Sequence, residues 1–326
     1  MNRRAFVTGL GAALAAPFGA TAQLTDGQFR VGIIQTTDTP EASGFWQITT
    51  DRLRELGYIE GGNVVFIRRS AGGDIKKLPA VAADLVQAKP DVLVTGSPPA
   101  TAAAADATKV VPIVAIASGH MLAKGWAKTL ARPGGNVTGI TDLVAEEILA
   151  KRFALLKDLV PGLKRVGWLW WPGGGLYQGL PPVAEPARHL NLTVYSLEFR
   201  SPAEITASFA AAKRMALEAL VVAGDILVFQ HKELIAGEAL KYRIPSVSSS
   251  KAYVEAGGPM AYGVSTPDLF RRAADYVDRI LRGTPPSVVP IEQATKFELV
   301  INLKTAKTLG LTIAPSLLLR ADQVIE

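Results

Sequence analysis

An α/β fold of two similar lobes is predicted by three observations. Short apolar runs alternate with helical periodicity, the alternation restarts near residue 165, and a stretch rich in turn residues separates the two sets. Several apolar runs lack in-out alternation, the mark of strands buried on both faces of a parallel sheet. The 326 residues, 48% hydrophobic and 20% charged, suit a soluble protein of two ordinary domains.

Residues 29–34 read as the first strand. A helix follows over 41–56, with Phe45, Ile48, Leu53 and Leu56 near helical spacing and Gly57 as its stop. Residues 63–68 form a second strand, and Leu78, Val81, Ala82, Leu85 and Val86 mark the next helix. Residues 91–95 and 112–116 are buried strands. Arg132-Pro133-Gly134-Gly135-Asn136 then supplies turn residues before a short strand reaching Gly139, which suits a crossover. The second set has a strand at 165–171, a helix to about residue 190, a strand at 192–197 and a helix over 202–215. Buried strands at 218–223 and 245–248 complete it.

The chain opens with an export segment. Arg3-Arg4 precedes an apolar, small-residue run, and Ala20-Thr21-Ala22 offers a signal peptidase small residues at the two positions it reads. Residues 1–22 are therefore expected to be a signal peptide, with a periplasmic mature protein starting at Gln23. The run is broken by Pro17 and is too short to span a bilayer. Asn2-Arg3-Arg4-Ala5-Phe6-Val7 is similar to a twin-arginine signal, and an ordinary secretory signal with two arginines reads equally well.

The net charge of +6 falls to +4 without the two arginines of the export segment, and the excess is scattered, so no nucleic-acid partner is expected. The absence of cysteine excludes a disulfide scaffold, a thiol nucleophile, a thiolate metal site and a lipid-modified cysteine anchor. There is no phosphate loop, no nucleophile elbow and no H-E-x-x-H motif, and His120, His189 and His231 stand far apart. No catalytic residue, metal or cofactor is expected.

What remains are binding features. Open parallel sheets bind ligands beyond the carboxyl ends of their strands, so the loops that follow strands are the candidates. The first lobe offers Thr36 and Asp38, then Ser97, Pro98, Ala100 and Thr101, then Ser118 and His120. Amides and hydroxyls at the helix start near Ser97 suit a carboxylate. The alternative is that Ser97 only caps its helix and Pro98 only fixes the turn. In the second lobe Trp170 and Trp171 leave a strand just before Pro172-Gly173-Gly174-Gly175, where an aromatic at the cleft lip stacks on a planar ligand. Core packing is the alternative, and the one preferred for Trp168. Asp225 ends a buried strand, where its carboxylate receives an ammonium or hydroxyl, or else caps the next helix. Ser248 and Tyr262 add hydrogen-bonding groups, although such residues are common in loops.

Four longer segments carry a resemblance. They are Leu53-Arg54-Glu55-Leu56-Gly57-Tyr58-Ile59-Glu60-Gly61-Gly62-Asn63-Val64, Leu130-Ala131-Arg132-Pro133-Gly134-Gly135-Asn136-Val137-Thr138-Gly139, Tyr276-Val277-Asp278-Arg279-Ile280-Leu281-Arg282-Gly283, and the stretch from Lys296-Phe297-Glu298-Leu299 through Leu309-Gly310-Leu311-Thr312-Ile313. With them the chain resembles the substrate-binding proteins of ABC transporters, in the group that includes tryptophan/tyrosine-type binding proteins. The resemblance implies a type I periplasmic-binding-protein fold, each lobe a parallel sheet flanked by helices. It implies crossovers near Asp142, Tyr262 and Ile291, with lobe one at 28–142 plus 263–290 and lobe two at 143–262 plus 291–326. It further implies a monomer that closes on a solute by hinge motion and docks on an ABC permease in the inner membrane. Two departures from the family pattern bear on the solute: His120 stands where an aspartate is common, and Trp171 where an asparagine is common. They point away from an ordinary amino acid, toward a small aromatic or otherwise planar acid, or an amino acid of that kind, with its carboxylate near residues 97–101. A sensory receptor of similar fold and an exported enzyme remain as alternatives.

Overall fold

The computed structural model describes residues 27–119, 121–142, 146–173 and 180–326. The expected export segment and His120 lie outside the described residues, as do Gly174 and Gly175. The first run of units is β1 (Phe29–Gln35), α1 (Pro40–Glu55), β2 (Val64–Ser70), α2 (Leu78–Gln87), β3 (Val92–Thr95), α3 (Pro98–Ala107), β4 (Ile113–Ile116) and β5 (Val137–Thr141). The second is α4 (Glu146–Leu159), β6 (Arg165–Trp170), α5 (Pro181–Arg188), β7 (Thr193–Glu198), α6 (Pro202–Arg214), β8 (Ala219–Val222), α7 (Ile226–Gln230), α8 (Lys232–Tyr242), β9 (Ser246–Ser248), α9 (Lys251–Glu255) and β10 (Met260–Val264). The chain then returns through α10 (Thr266–Leu281) and β11 (Glu292–Gln293), and ends with β12 (Phe297–Asn302), α11 (Leu303–Thr308), α12 (Pro315–Leu318) and β13 (Gln323–Ile325).

These strands make two sheets, in the orders β11-β5-β4-β3-β1-β2 and β13-β12-β10-β9-β8-β6-β7. Every pairing in the first is parallel. The second is dominated by parallel pairings, with β10 and β12 pairing antiparallel, from Met260 opposite Ile301 to Val264 opposite Phe297. Chain direction explains this. β10 carries the chain out toward the first sheet and β12 brings it back. Sheet membership changes after Thr141, after Val264 and after Gln293.

Each sheet is covered on both faces. On one side of the first, Trp46 and Leu53 of α1 pack with Leu269, Phe270, Ala273 and Val277 of α10. Burying each large side chain of this kind contributes roughly 1.5–3 kcal/mol. On the other side, Leu78, Ala82 and Leu85 of α2 meet Ala100 and Ala104 of α3, whose small side chains let that helix lie close. In the second lobe, α4 and α5 cover one face through Leu149, Phe153, Leu156 and Val183. Helices α6 and α8 cover the other face through Ile205, Phe209, Ile235 and Ala236. Gly139 in β5 is required sterically. Its φ is +134°, and a Cβ there would stand 2.1 Å from the Ala115 carbonyl oxygen of β4.

Candidate functional site

The carboxyl ends of β3, β4 and β5 meet those of β8, β9 and β10 around a cavity of about 190 Å³. The first lobe contributes Gly96, Ser97, Pro98, Pro99, Ala117 and Asp142, with Thr266 and Leu269 from the first turn of α10. The second contributes Arg152 from α4, Gly224 to Ile226, Phe229, Lys232, the serines Ser248, Ser249 and Ser250, and Tyr253. The setting matches the expected rule for open parallel sheets.

At the start of α3 a network of buried hydroxyls fixes the wall. Thr36 Oγ1 and Ser97 Oγ share a hydrogen bond of 2.8 Å, and Thr101 Oγ1 donates to the Ser97 carbonyl at 3.0 Å and bonds Thr95 Oγ1 at 2.7 Å. The amides expected here for a carboxylate are largely missing. Pro98 and Pro99 have no N–H, and the Ala100 N–H already donates to Ser97 Oγ at 3.3 Å. Ser97 and Pro98 line the cavity, while Thr36, Ala100 and Thr101 stand behind them as support.

Charge enters from elsewhere. Asp142, at the end of β5, has a buried Oδ1 with no hydrogen-bond partner among the described residues. Withdrawal from water pushes its pKa up to about 6, against the opposing pull of the Arg152 cation. Asp225 caps α7 by accepting from the Val228 N–H at 2.8 Å, and burial pushes its pKa up to about 7 although that amide and those of Trp171 and Leu227 favour the charged form. Arg152 is 5% exposed and donates from Nε to the Tyr262 carbonyl of β10 at 2.7 Å. Lys232 is 6% exposed, and its ammonium lies 4.9 Å from the centre of the Phe229 ring. The apolar remainder includes Ala223, Val228, Phe229, Val264, Leu269 and the ring of Tyr253.

Of the residues singled out from the sequence, the structure brings Ser97, Pro98, Asp225 and Ser248 together on the cavity wall. Ser118 is fully buried next to the lining residue Ala117, and its hydroxyl has no partner among the described residues. Asp38 is exposed and does not line the cavity. Tyr262 takes part through its carbonyl, while its ring stacks on Phe297 with centroids 6.1 Å apart. The tryptophans do not form the expected lip. Trp170 is 8% exposed in the core beneath α4 and α5, with Nε1 donating to Ser196 Oγ at 2.8 Å, and Trp171 packs on the opposite core. Side chains stand perpendicular to a sheet, so a residue inside a strand points into a helix layer and not along the strand toward the cleft. Sequence reasoning misses Arg152 and Lys232, and for Asp142 it signals only a crossover.

Two lobes closing an apolar cavity that carries both signs of charge make a receptacle for a small solute. The chain belongs to the ABC transporter substrate binding protein family, whose pattern matches residues 30–325. It is thus a solute-binding protein that delivers a small solute to an ABC importer. It is 24% identical over 286 residues to a tyrosine-binding protein of Clostridioides difficile, covering 87% of this chain and 81% of that one. A conserved domain protein of Vibrio cholerae superposes with a TM-score of 0.85 at 28% identity, over 91% of this chain and 99% of that one. An ABC domain from Streptococcus pneumonia in complex with L-Trp gives 0.84 at 26% identity, over 92% and 100%.

Proposed function

We propose that the solute is an amino acid with an aromatic or similarly compact apolar side chain, held as a zwitterion. The observation that carries this reading is the pair of carboxylates, Asp142 and Asp225, on the wall of an apolar cavity that also holds the buried Arg152. A carboxylate withdrawn from water is costly unless a cation meets it, and a ligand ammonium supplies that cation. Arg152 then takes the place foreseen for the first turn of α3 as the partner of the ligand carboxylate. The relatives that bind tyrosine and tryptophan support the same chemistry. The departure at Trp171 loses its weight, since that indole packs on a core.

The protein works as an exported monomer directed by residues 1–22. Its lobes, 28–142 with 265–294 and 146–264 with 295–326, close over the solute by hinge motion. Mass spectrometry of small molecules released by denaturing the purified protein tests the reading. The expected compound is an unchanged aromatic amino acid. A released sugar or an acid without an amino group contradicts it, and a chemically altered compound points to an enzyme.

A further inference from the structure

Lys232 stands in a place that local structure does not explain. It is the first residue of α8, where the helix dipole disfavours a cation, and no side chain caps that helix start. Its side chain is nonetheless 8% exposed, and it walls the shared cavity from its own lobe while reaching the other. Nζ donates to Glu41 Oε2 of α1 at 3.0 Å and to its neighbour Glu233 Oε1 at 3.0 Å. Glu41 lies in the first turn of α1, where the dipole favours its negative charge. Burial alone lowers the lysine pKa, but the two carboxylates outweigh it and keep the ammonium charged.

Other contacts cross the cleft beside this pair. Gln230 Nε2 donates to the Gly73 carbonyl at 3.3 Å, and the Phe45 and Phe229 rings approach with centroids 6.5 Å apart. Gly73, with φ +86°, leaves little room, since a Cβ there would lie 3.0 Å from Gln230 Nε2. By contrast, Arg52–Asp275 and Arg320–Asp158 each join elements of a single lobe.

We infer that the Glu41–Lys232 pair is the clasp of this protein, a cross-cleft bond that holds the lobes shut over the solute. The inference rests on hinge closure as read above. Lys232 acts as a positioning residue, because the side chain that walls the cavity also makes the bond to the opposite lobe. Occupancy and closure are coupled through it.

The chain has no cysteine, so two introduced cysteines take spin labels without background. Lys76→Cys and Gly237→Cys lie on exposed positions of opposite lobes, and a side chain at Gly237 meets open space. Pulsed electron spin resonance of the full chain, without added solute, then reads the interlobe distance. Glu41→Gln is expected to lower the ratio of closed to open molecules roughly fivefold, the scale of a partly exposed ion pair. Glu198→Gln removes an ion pair, with Arg200, that lies within one lobe and does not touch Lys232, and should leave the ratio unchanged. An unaltered distribution in Glu41→Gln, or an equal shift in Glu198→Gln, overturns the clasp. A triple variant, Glu41→Gln with Phe229→Ala and Gln230→Ala, separates the two readings. If it opens where Glu41→Gln does not, closure stands and the clasp falls. If it keeps the parent distance, both fall.

Discussion

At Asp225 the demands of folding and of the proposed binding role pull apart. The carboxylate caps α7 through the Val228 amide, yet burial raises its pKa from an ordinary value near 3.8 to about 7. Because the folded state holds the proton more tightly, the stability this residue contributes is fully present below the ordinary carboxylate range and is lost as pH rises through about 7. Asp142 adds an effect of the same sign over a narrower range, ending near its pKa of about 6. Asp225→Asn keeps a capping oxygen and removes the buried charge. In ligand-free protein its melting temperature is expected to exceed the parent's at pH 8 and to match it near pH 4. The same variant should lose most of its affinity for L-tyrosine, since the ammonium loses its partner. Scanning calorimetry and titration at the two pH values check this, and equal melting curves at pH 8 contradict it.

Among the secondary-structure elements, the two buried cations show what a sequence reader can overlook. Arg152 shares a helical stripe with Leu149, Phe153 and Leu156, and Lys232 shares one with Ile235, Ala236 and Ala239. A charge at an apolar stripe position is a visible signal, because such a residue must find a partner in the interior or in a ligand. Local patterns were enough to place β1 to β9 and the helices α1, α2, α5 and α6, since β-rich runs and helical stripes are local properties, whereas β10 to β13 and the helices α4 and α10 carried no such reading. Side-chain direction at strand ends was not, and Trp170 shows the cost of reading a strand exit as a cleft lip. The Arg132–Gly139 segment had a clearer logic than its turn residues suggested, because Gly139 lets β5 lie against β4 and so sets the position of Asp142. Gly139→Ala is expected to destabilise the fold by at least about 2 kcal/mol. Urea unfolding measures this, and a parental midpoint would show that β4 and β5 tolerate the Cβ.

Across the whole molecule, the cleft exists because three returns of the chain place six strand ends opposite one another. Its position was legible from the rule for open sheets, and Ser97, Asp225 and Ser248 were found by it. The charge pattern was not, because Asp142, Arg152 and Lys232 come together only through the crossovers and the packing of α4 and α8. That pattern is the ground for the proposed solute, one with an amino group as well as a carboxylate. The most direct measurement is calorimetric titration of the protein at pH 8 with L-tyrosine and with 3-(4-hydroxyphenyl)propionate, which differ by the amino group alone. The expected result is that the amino acid binds at least roughly a hundredfold more tightly, the scale of an unpaired buried charge. Equal or tighter binding of the deaminated acid would contradict the account and leave Asp142 and Asp225 without their proposed role.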